Sequence, residues 1–396
     1  MRGRRLVLTF GLLTALFAAG YGVMFTMLDD FRDEYGIGAA ALGAIVATGF
    51  FASFVAQVVL APLADRGHAR QLVYLGMLCN VAGLIGMAFG HTFLLLMLAR
   101  LVMGIGAGMA QPAIRRIVIL AQPDDLGGNL GTLLAADVGG FAMGPAVAAI
   151  LVGPFGIPAP FLVIAVATVA CLPIISRVQV TETVEADAPA ARFAFDLLRA
   201  RPYVAAVLLG SAVFLMIGTF DALWVLVLSD LDTADWIANL GITLFALPLI
   251  LLGPYGGRLA QRVGPFRLGA LGLVGGATFM FLYGVLPTGG AMFAVAMLHA
   301  LNDGFTVSSA SVAVGMVSPP ERQAGAQGLL GGIETLVAGV TALIAGALYE
   351  TFGRTVAYSF CAAGMVVCVV AALLLVRRDV VWRPSASARV PLPTSH

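Results

Sequence analysis

Apolar runs of about 20 residues recur along this chain, and a run of that length crosses the hydrocarbon core of a bilayer as a helix. They lie near 6–28, 39–61, 71–90, 93–112, 128–152 and 158–176, then near 203–228, 236–256, 268–286, 291–315, 326–349 and 355–376. They are too long for strands and do not alternate, which argues against a membrane barrel. Composition agrees, with 60% of the 396 residues hydrophobic and only 11% charged, where a soluble domain carries about a quarter. Such a chain cannot cover its surface with ions, so a disordered segment, a nucleic-acid-binding module and a water-soluble enzyme are poor fits. The expected fold is all-α and integral to the membrane, with twelve transmembrane helices and the lipid bilayer as its immediate partner.

Orientation follows from where the cations fall. Lysine is absent, so all 22 cations are arginines. Placing the N-terminus in the cytoplasm puts 19 of them at inside loops, Arg115 and Arg116 included, with Arg32 and Arg354 outside and Arg100 within a span. Both termini are therefore expected in the cytoplasm, for a multi-pass protein of the cell (inner) membrane. Arg2, Arg4 and Arg5 precede the first run as in a secretory signal, but that run is longer than a signal core. The four cysteines all sit inside apolar runs, with neither disulfide nor metal spacing.

The longest connection, 177–202, is polar and rich in alanine and proline. It divides the chain into an N-terminal six-helix bundle (1–176) and a C-terminal bundle with a short cytoplasmic tail (203–396). The bundles also match each other: residues 61–70 align with 257–266 at an offset of 196, and 122–131 with 319–328 at an offset of 197. Two loops sharing nearly one offset argue for duplication. Parallel six-helix repeats are a transporter architecture, with the substrate site between the halves near the bilayer midplane.

After the second run stands Ala61-Pro62-Leu63-Ala64-Asp65-Arg66-Gly67-His68-Ala69-Arg70, and after the eighth a partial copy keeps Gly257, Leu259, Ala260, Arg262 and Gly264 with Gln261 in place of the acid. The fourth run carries Arg100 followed by Gly104, Gly106 and Gly108, and the fifth carries Gly140, Gly144 and Pro145. On these motifs, and over nearly its whole length, the chain resembles the major facilitator superfamily, and within it the twelve-helix drug:proton antiporters. Asp65, Arg66 and Arg70 match the family's loop pattern G-x-L-A-D-R-x-G-R-R, while Ala61, Gly67, His68 and Ala69 depart from it. The resemblance implies that Asp65, Arg66, Arg70 and Arg262 form a gate latching the cytoplasmic helix ends. An acid at a helix N-terminus and forked arginine pairs would suit that role, and a merely solvated loop is the alternative. It further links Arg100 to proton transfer, and the Gly140–Pro145 pattern, with Ala148 and Ala149 for its last two glycines, to export over import. Gly104, Gly108, Gly140 and Gly144 are also small-residue stripes suited to close helix packing, and Pro145 favours a bend.

Acids inside the runs are costly and by default functional. Asp137 and Glu334 are related by the 197-residue offset, so each half places a carboxylate at the equivalent depth. Removal from water disfavours the charged form, as a proton carrier requires; a structural hydrogen-bonded role is the alternative. Asp137 precedes Gly140 and Gly144 and is expected at a tight helix contact, whereas Glu334 has Val337 and Thr341 there and is expected in a wetter setting. His299 and Asp303 share one helix face, with Asn302 adjacent, as a proton relay or a satisfied polar cluster. Asp221 with Trp224 one turn on reads as a cation-binding pair or as an exposed acid beside an interfacial tryptophan. No zinc-hydrolase, nucleophile-elbow, Walker or paired-cysteine motif occurs. The expectation is therefore a non-enzymatic, cofactor-free and monomeric secondary transporter exporting a hydrophobic or amphipathic small molecule against protons, with uptake or facilitated diffusion as the other reading.

Overall fold

The computed structural model describes residues 3–176 and 192–376. Most of the expected central loop and the tail arginines Arg377, Arg378, Arg383 and Arg389 lie outside the described residues. In the first half the helices are α1 (Gly3–Thr26), a short α2 (Leu28–Tyr35), α3 (Ala39–Val59), α4 (Ala69–Phe89), α5 (Phe93–Ala121), α6 (Leu126–Phe155) and α7 (Pro158–Ser176). In the second they are α8 (Arg201–Asp230), α9 (Asp235–Val263), α10 (Pro265–Val285), α11 (Gly289–Thr306), α12 (Ser309–Val317), α13 (Gln323–Phe352) and α14 (Arg354–Leu375).

Among the described residues, eleven helical stretches are long and apolar enough to cross a bilayer unbroken. The twelfth span, expected as one helix near 291–315, is broken between α11 and α12. At the break Thr306 donates its hydroxyl back to the Asn302 carbonyl at 2.9 Å, a contact that bends helices, and the Asn302 amide leaves for the Gly272 carbonyl at 3.0 Å. A second departure is at α5, which the sequence places near 93–112. It runs on through Pro112 to Ala121, so Arg115 and Arg116 are helical residues and not loop cations.

The 197-residue repeat is written in the helix ends. Gly156 and Gly353 end α6 and α13 with φ of 79° and 80° and ψ of 175° and 176°, a backbone conformation essentially reserved for glycine. Thr92 and Thr288, separated by 196 residues, cap α5 and α11 by accepting from Leu95 N at 3.4 Å and Ala291 N at 3.3 Å. At these two places the halves therefore break and restart the chain alike. Leu343, Leu374 and Ile150 lie at least 70% exposed on the outer faces, apolar surface that a bilayer covers and water would not tolerate in such quantity.

Within each half, glycines let backbones touch. A Cβ on Gly104 would fall 2.2 Å from the Gly49 carbonyl oxygen, and one on Gly108 2.6 Å from that of Ser53, so this stripe seats α5 on α3. A Cβ on Gly140 would meet the Ala15 carbonyl at 2.1 Å, and one on Gly144 the Val23 nitrogen at 2.4 Å, so the second stripe seats α6 on α1.

Candidate functional site

The halves meet closely at one end of the bundle, here termed the latch end, where the loops after α3 and α9 lie. Asp65 is 1% exposed in the turn Ala61–Arg66 that follows α3. Its two carboxylate oxygens accept from Ala324 N at 2.9 Å and Gly325 N at 2.7 Å, the first turn of α13. A carboxylate there satisfies two orphan donors and faces the positive end of the helix dipole. Arg116 Nε lies 3.2 Å from the same carboxylate, both side chains only 2% exposed.

The repeat-related contact is built differently. Gln261 Oε1 accepts from Gly127 N at 2.7 Å at the start of α6, while its amide nitrogen donates to the Pro123 and Asp124 carbonyls at 3.3 and 3.2 Å. Arg258 forks onto Asp125 at 2.9 Å. Behind them α6 and α9 are in backbone contact: a Cβ on Gly127 would fall 2.0 Å from the Gly257 oxygen, and one on Gly131 2.1 Å from that of Gly253. Arg322 ties α13 to the segment before α8 through the Asp196 carboxylate and, at 3.0 Å, the Phe193 carbonyl.

Of the residues expected at the gate, Asp65 reaches the opposite half. Arg66 is half-buried at the end of the turn, Arg70 donates to the Ser176 carbonyl inside its own half, and Arg262 is exposed. Arg116, Arg258 and Gln261, which the sequence did not single out for the gate, make the contacts described above. A hydropathy profile ends a span where arginines begin, so it misplaced Arg115 and Arg116; the Arg258–Asp125 pair had no signal beyond opposite charge.

Between the halves, beyond the latch, is a cavity of about 380 Å³ with a mainly apolar wall. Asp137 from α6, Asp221 from α8, His299 and Asp303 from α11 and Glu334 from α13 all line it, and so do Arg115 from α5 and Pro145 from α6. Five of the six residues expected at a coupling or substrate site thus converge. Glu334 is 6% exposed and Asp137 only half-buried, the reverse of the expected order, because Gly140 and Gly144 press on α1 while Asp137 turns to the cavity. Arg115 faces both carboxylates and acts on each through space.

His299 is wholly buried, with Nδ1 3.0 Å from the Tyr283 hydroxyl and Nε2 3.1 Å from Met216 Sδ and 3.5 Å from Asp303 Oδ2. Asn302 Nδ2 donates to Asp303 Oδ1 at 3.2 Å. The cluster is therefore both a hydrogen-bonded set and part of the cavity wall. Trp224 does not line the cavity: it is 1% exposed and stacked on Phe220, ring centroids 4.7 Å apart, in the core of the second half. Asp221 is exposed in the cavity without it.

Arg100 does not line the cavity. It is fully buried between α1, α3 and α5, its guanidinium carbon 3.9 Å from the centroid of the Tyr21 ring and 5.4 Å from that of Phe50. Among the described residues its nitrogens make no hydrogen bond of good geometry. Its buried charge is met by an aromatic face.

A helical bundle of two related halves enclosing a central, acid-lined cavity defines a membrane transporter. The family model of the Major Facilitator Superfamily matches residues 10–233 and 222–396, and the chain belongs to that family. It is a transporter and not an enzyme. Among curated proteins, the Quinolone resistance protein NorA of Staphylococcus aureus (strain MRSA252) is 27% identical over 133 residues, 32% of this chain and 33% of that protein. The chain thus aligns with about a third of the length of these curated relatives. The crystal structure of the human organic anion transporter MFSD10 (TETRAN) has a TM-score of 0.74 at 16% identity, covering 94% of this chain and 100% of that one. The E. coli Fucose:proton symporter FucP gives 0.77 at 13%, covering 95% and 100%. A further FucP structure, in the outward conformation, gives 0.76 at 13%, covering 94% and 98%. These likenesses establish the fold.

Proposed function

We propose that this transporter exports hydrophobic or amphipathic small molecules, cations among them, in exchange for protons. The latch end is cytoplasmic in this reading, the loops there carry the arginine excess, and the conformer described is closed toward the cytoplasm. One observation carries the reading: four carboxylates and an imidazole, drawn from both halves, line one mainly apolar cavity. Apolar walls accept an amphipathic molecule without demanding a fixed hydrogen-bond pattern. The acids attract either a proton or a substrate cation, and a site that can hold one or the other is what exchange by alternating access requires. The NorA likeness, over a third of each chain, points the same way. Asp137 and Glu334 are assigned the coupling proton, since they occupy equivalent places in the two halves and face one arginine. Asp221, Asp303 and His299 complete the cation-accepting wall.

The test uses inverted membrane vesicles with an imposed proton gradient, with ethidium as a cationic probe and a neutral dye of similar size. Gradient-dependent accumulation of ethidium that collapses with a protonophore is expected. Equilibration indifferent to the gradient, or accumulation only in right-side-out vesicles, would overturn export in favour of facilitated diffusion or uptake.

A further inference from the structure

Arg115 and Arg116 are neighbours on α5, yet they serve different levels of the protein. Arg116 is buried against Asp65, which in turn holds the first turn of α13. Arg115 opens into the cavity with Asp137 and Glu334. Its Nη1 is buried, makes no hydrogen bond among the described residues, and lies 3.7 Å from where a Cβ on Gly331 would sit, three residues before Glu334 on α13. The carboxylates that face it are Asp137 on α6 and Glu334 on α13, while α3 brings the neutral Gln57 to the same level. Two adjacent residues of one helix therefore engage α13 at two heights. One acts at the first turn through Asp65, the other lies beside Gly331, roughly 10 Å further along and one turn before Glu334.

We propose that Arg115 is the positioning residue that transmits the charge state of the Asp137–Glu334 pair to the latch. With an ionised carboxylate before it, the guanidinium holds α5, α6 and α13 together and keeps Arg116 seated on Asp65. When both acids are neutralised by protons, Arg115 becomes a largely enclosed cation without a counter-charge, a costly state. It escapes that state only if α5 moves from α13, and the same movement draws Arg116 off Asp65 and frees the α13 N-terminus. Arginine keeps its proton throughout, so the proton sits on a carboxylate and the arginine only reads it. This inference rests on the proton-coupled reading and adds to it the residue that links site and gate.

The experiment replaces Cys79, Cys171, Cys361 and Cys368 and introduces Leu126→Cys as reporter. Leu126 is 5% exposed, and its side chain lies 3.1 Å from where a Cβ on Gly315 of the other half would sit. Thiol labelling of the membrane-embedded chain, normalised to the unfolded chain at each pH, reads separation of the halves. Labelling in this background is expected to rise about tenfold on acidification, within the usual span of such couplings. Arg115→Gln should abolish the pH response, Arg115→Lys should restore it, and the double variant Asp137→Asn/Glu334→Gln should label at the high level at every pH. A full pH response in Arg115→Gln, its absence in Arg115→Lys, or low labelling of the double variant would overturn the assignment. A flat background in a chain whose transport also ignores proton gradients would instead sink the proton-coupled reading, and this inference with it.

Discussion

The two halves close the same end of the bundle with equivalent residues used in unequal ways. Asp65 and Gln261 stand at matching places, and each accepts from the first turn of a helix of the opposite half. Asp65 does so as a buried charge facing a helix dipole and a buried arginine. Gln261 does so as a neutral group that also donates to two carbonyls, with the α6 and α9 backbones in contact behind it. One side of the latch is electrostatic and responds to charge. The other rests mainly on backbone contact, its Arg258–Asp125 pair being partly exposed and screened by solvent. A gate that is to answer a proton needs only one responsive side, and a fixed contact on the other gives the moving half something to close against.

The largest expected effect comes from removing the charge. Asp65→Asn keeps one acceptor for the α13 amides but removes the charge 3.2 Å from the buried Arg116 Nε, and breaking such a pair costs about 3–5 kcal/mol. That cost falls on the latched state, so transport should fall at least tenfold with wild-type amounts of protein in the membrane. Unchanged rates at equal expression would show that the latch does not limit the cycle.

Next comes the steric side. Gly257→Ala places a Cβ 1.9 Å from the Gly127 carbonyl oxygen. No rotamer relieves a backbone clash, and overpacking of this kind costs about 1–3 kcal/mol. The halves should be held apart at this end at every pH, raising thiol labelling of Leu126→Cys where Asp65→Asn also raises it. If Gly257→Ala transports normally, the backbone contact is incidental and the comparison loses its steric half.

How much of this was legible in the sequence follows from where the signals are local. Run length and the 197-residue offset carry the fold, since both survive without side-chain detail. Asp65 was legible because its loop motif is dense with charge. Arg115 and Arg116 were not, because a hydropathy profile cannot distinguish an arginine just past a span from one on a helix that runs on through a proline; only the packing of α13 against α5 shows that these two are enclosed. Trp224 misled for a related reason. On a helix apolar all round, spacing says which residues are neighbours and not which of them turn into the cavity.

The two halves also differ on their repeat-related helices α5 and α11, where the first carries a stacked cation and the second His299, hydrogen-bonded to Tyr283 of α10 and 3.5 Å from Asp303. Arg100→Lys keeps the charge but loses the planar face that lies on Tyr21. A desolvated cation–π contact is worth about 2 kcal/mol, so transport should fall several-fold. Tyr21→Phe, which keeps the ring, should be milder. If Tyr21→Phe proves the worse of the two, the hydroxyl and not the ring face is what Arg100 uses.

The smallest effect, and the sharpest test of the asymmetry, is Gln261→Glu. If the second half merely lost an acid that Asp65 retains, restoring one should strengthen the latch, because a carboxylate near the start of α6 gains from the helix dipole. The local geometry predicts the opposite. Gln261 accepts once and donates to two carbonyls, and a carboxylate can accept but not donate. It would face the Pro123 and Asp124 carbonyls with oxygen and add charge beside Asp124 and Asp125, while Arg258, the nearby cation, is already forked onto Asp125. Losing two partly exposed hydrogen bonds and gaining that repulsion, against a dipole gain of similar size, leaves a net cost of about 1 kcal/mol. Labelling of Leu126→Cys at neutral pH should therefore rise a few-fold over the parent, and that excess should vanish at acidic pH as the new acid is protonated and donates again. That pH trend runs against the one expected of the wild-type latch, so its sign decides between a decayed copy of Asp65 and a residue fitted to its own half.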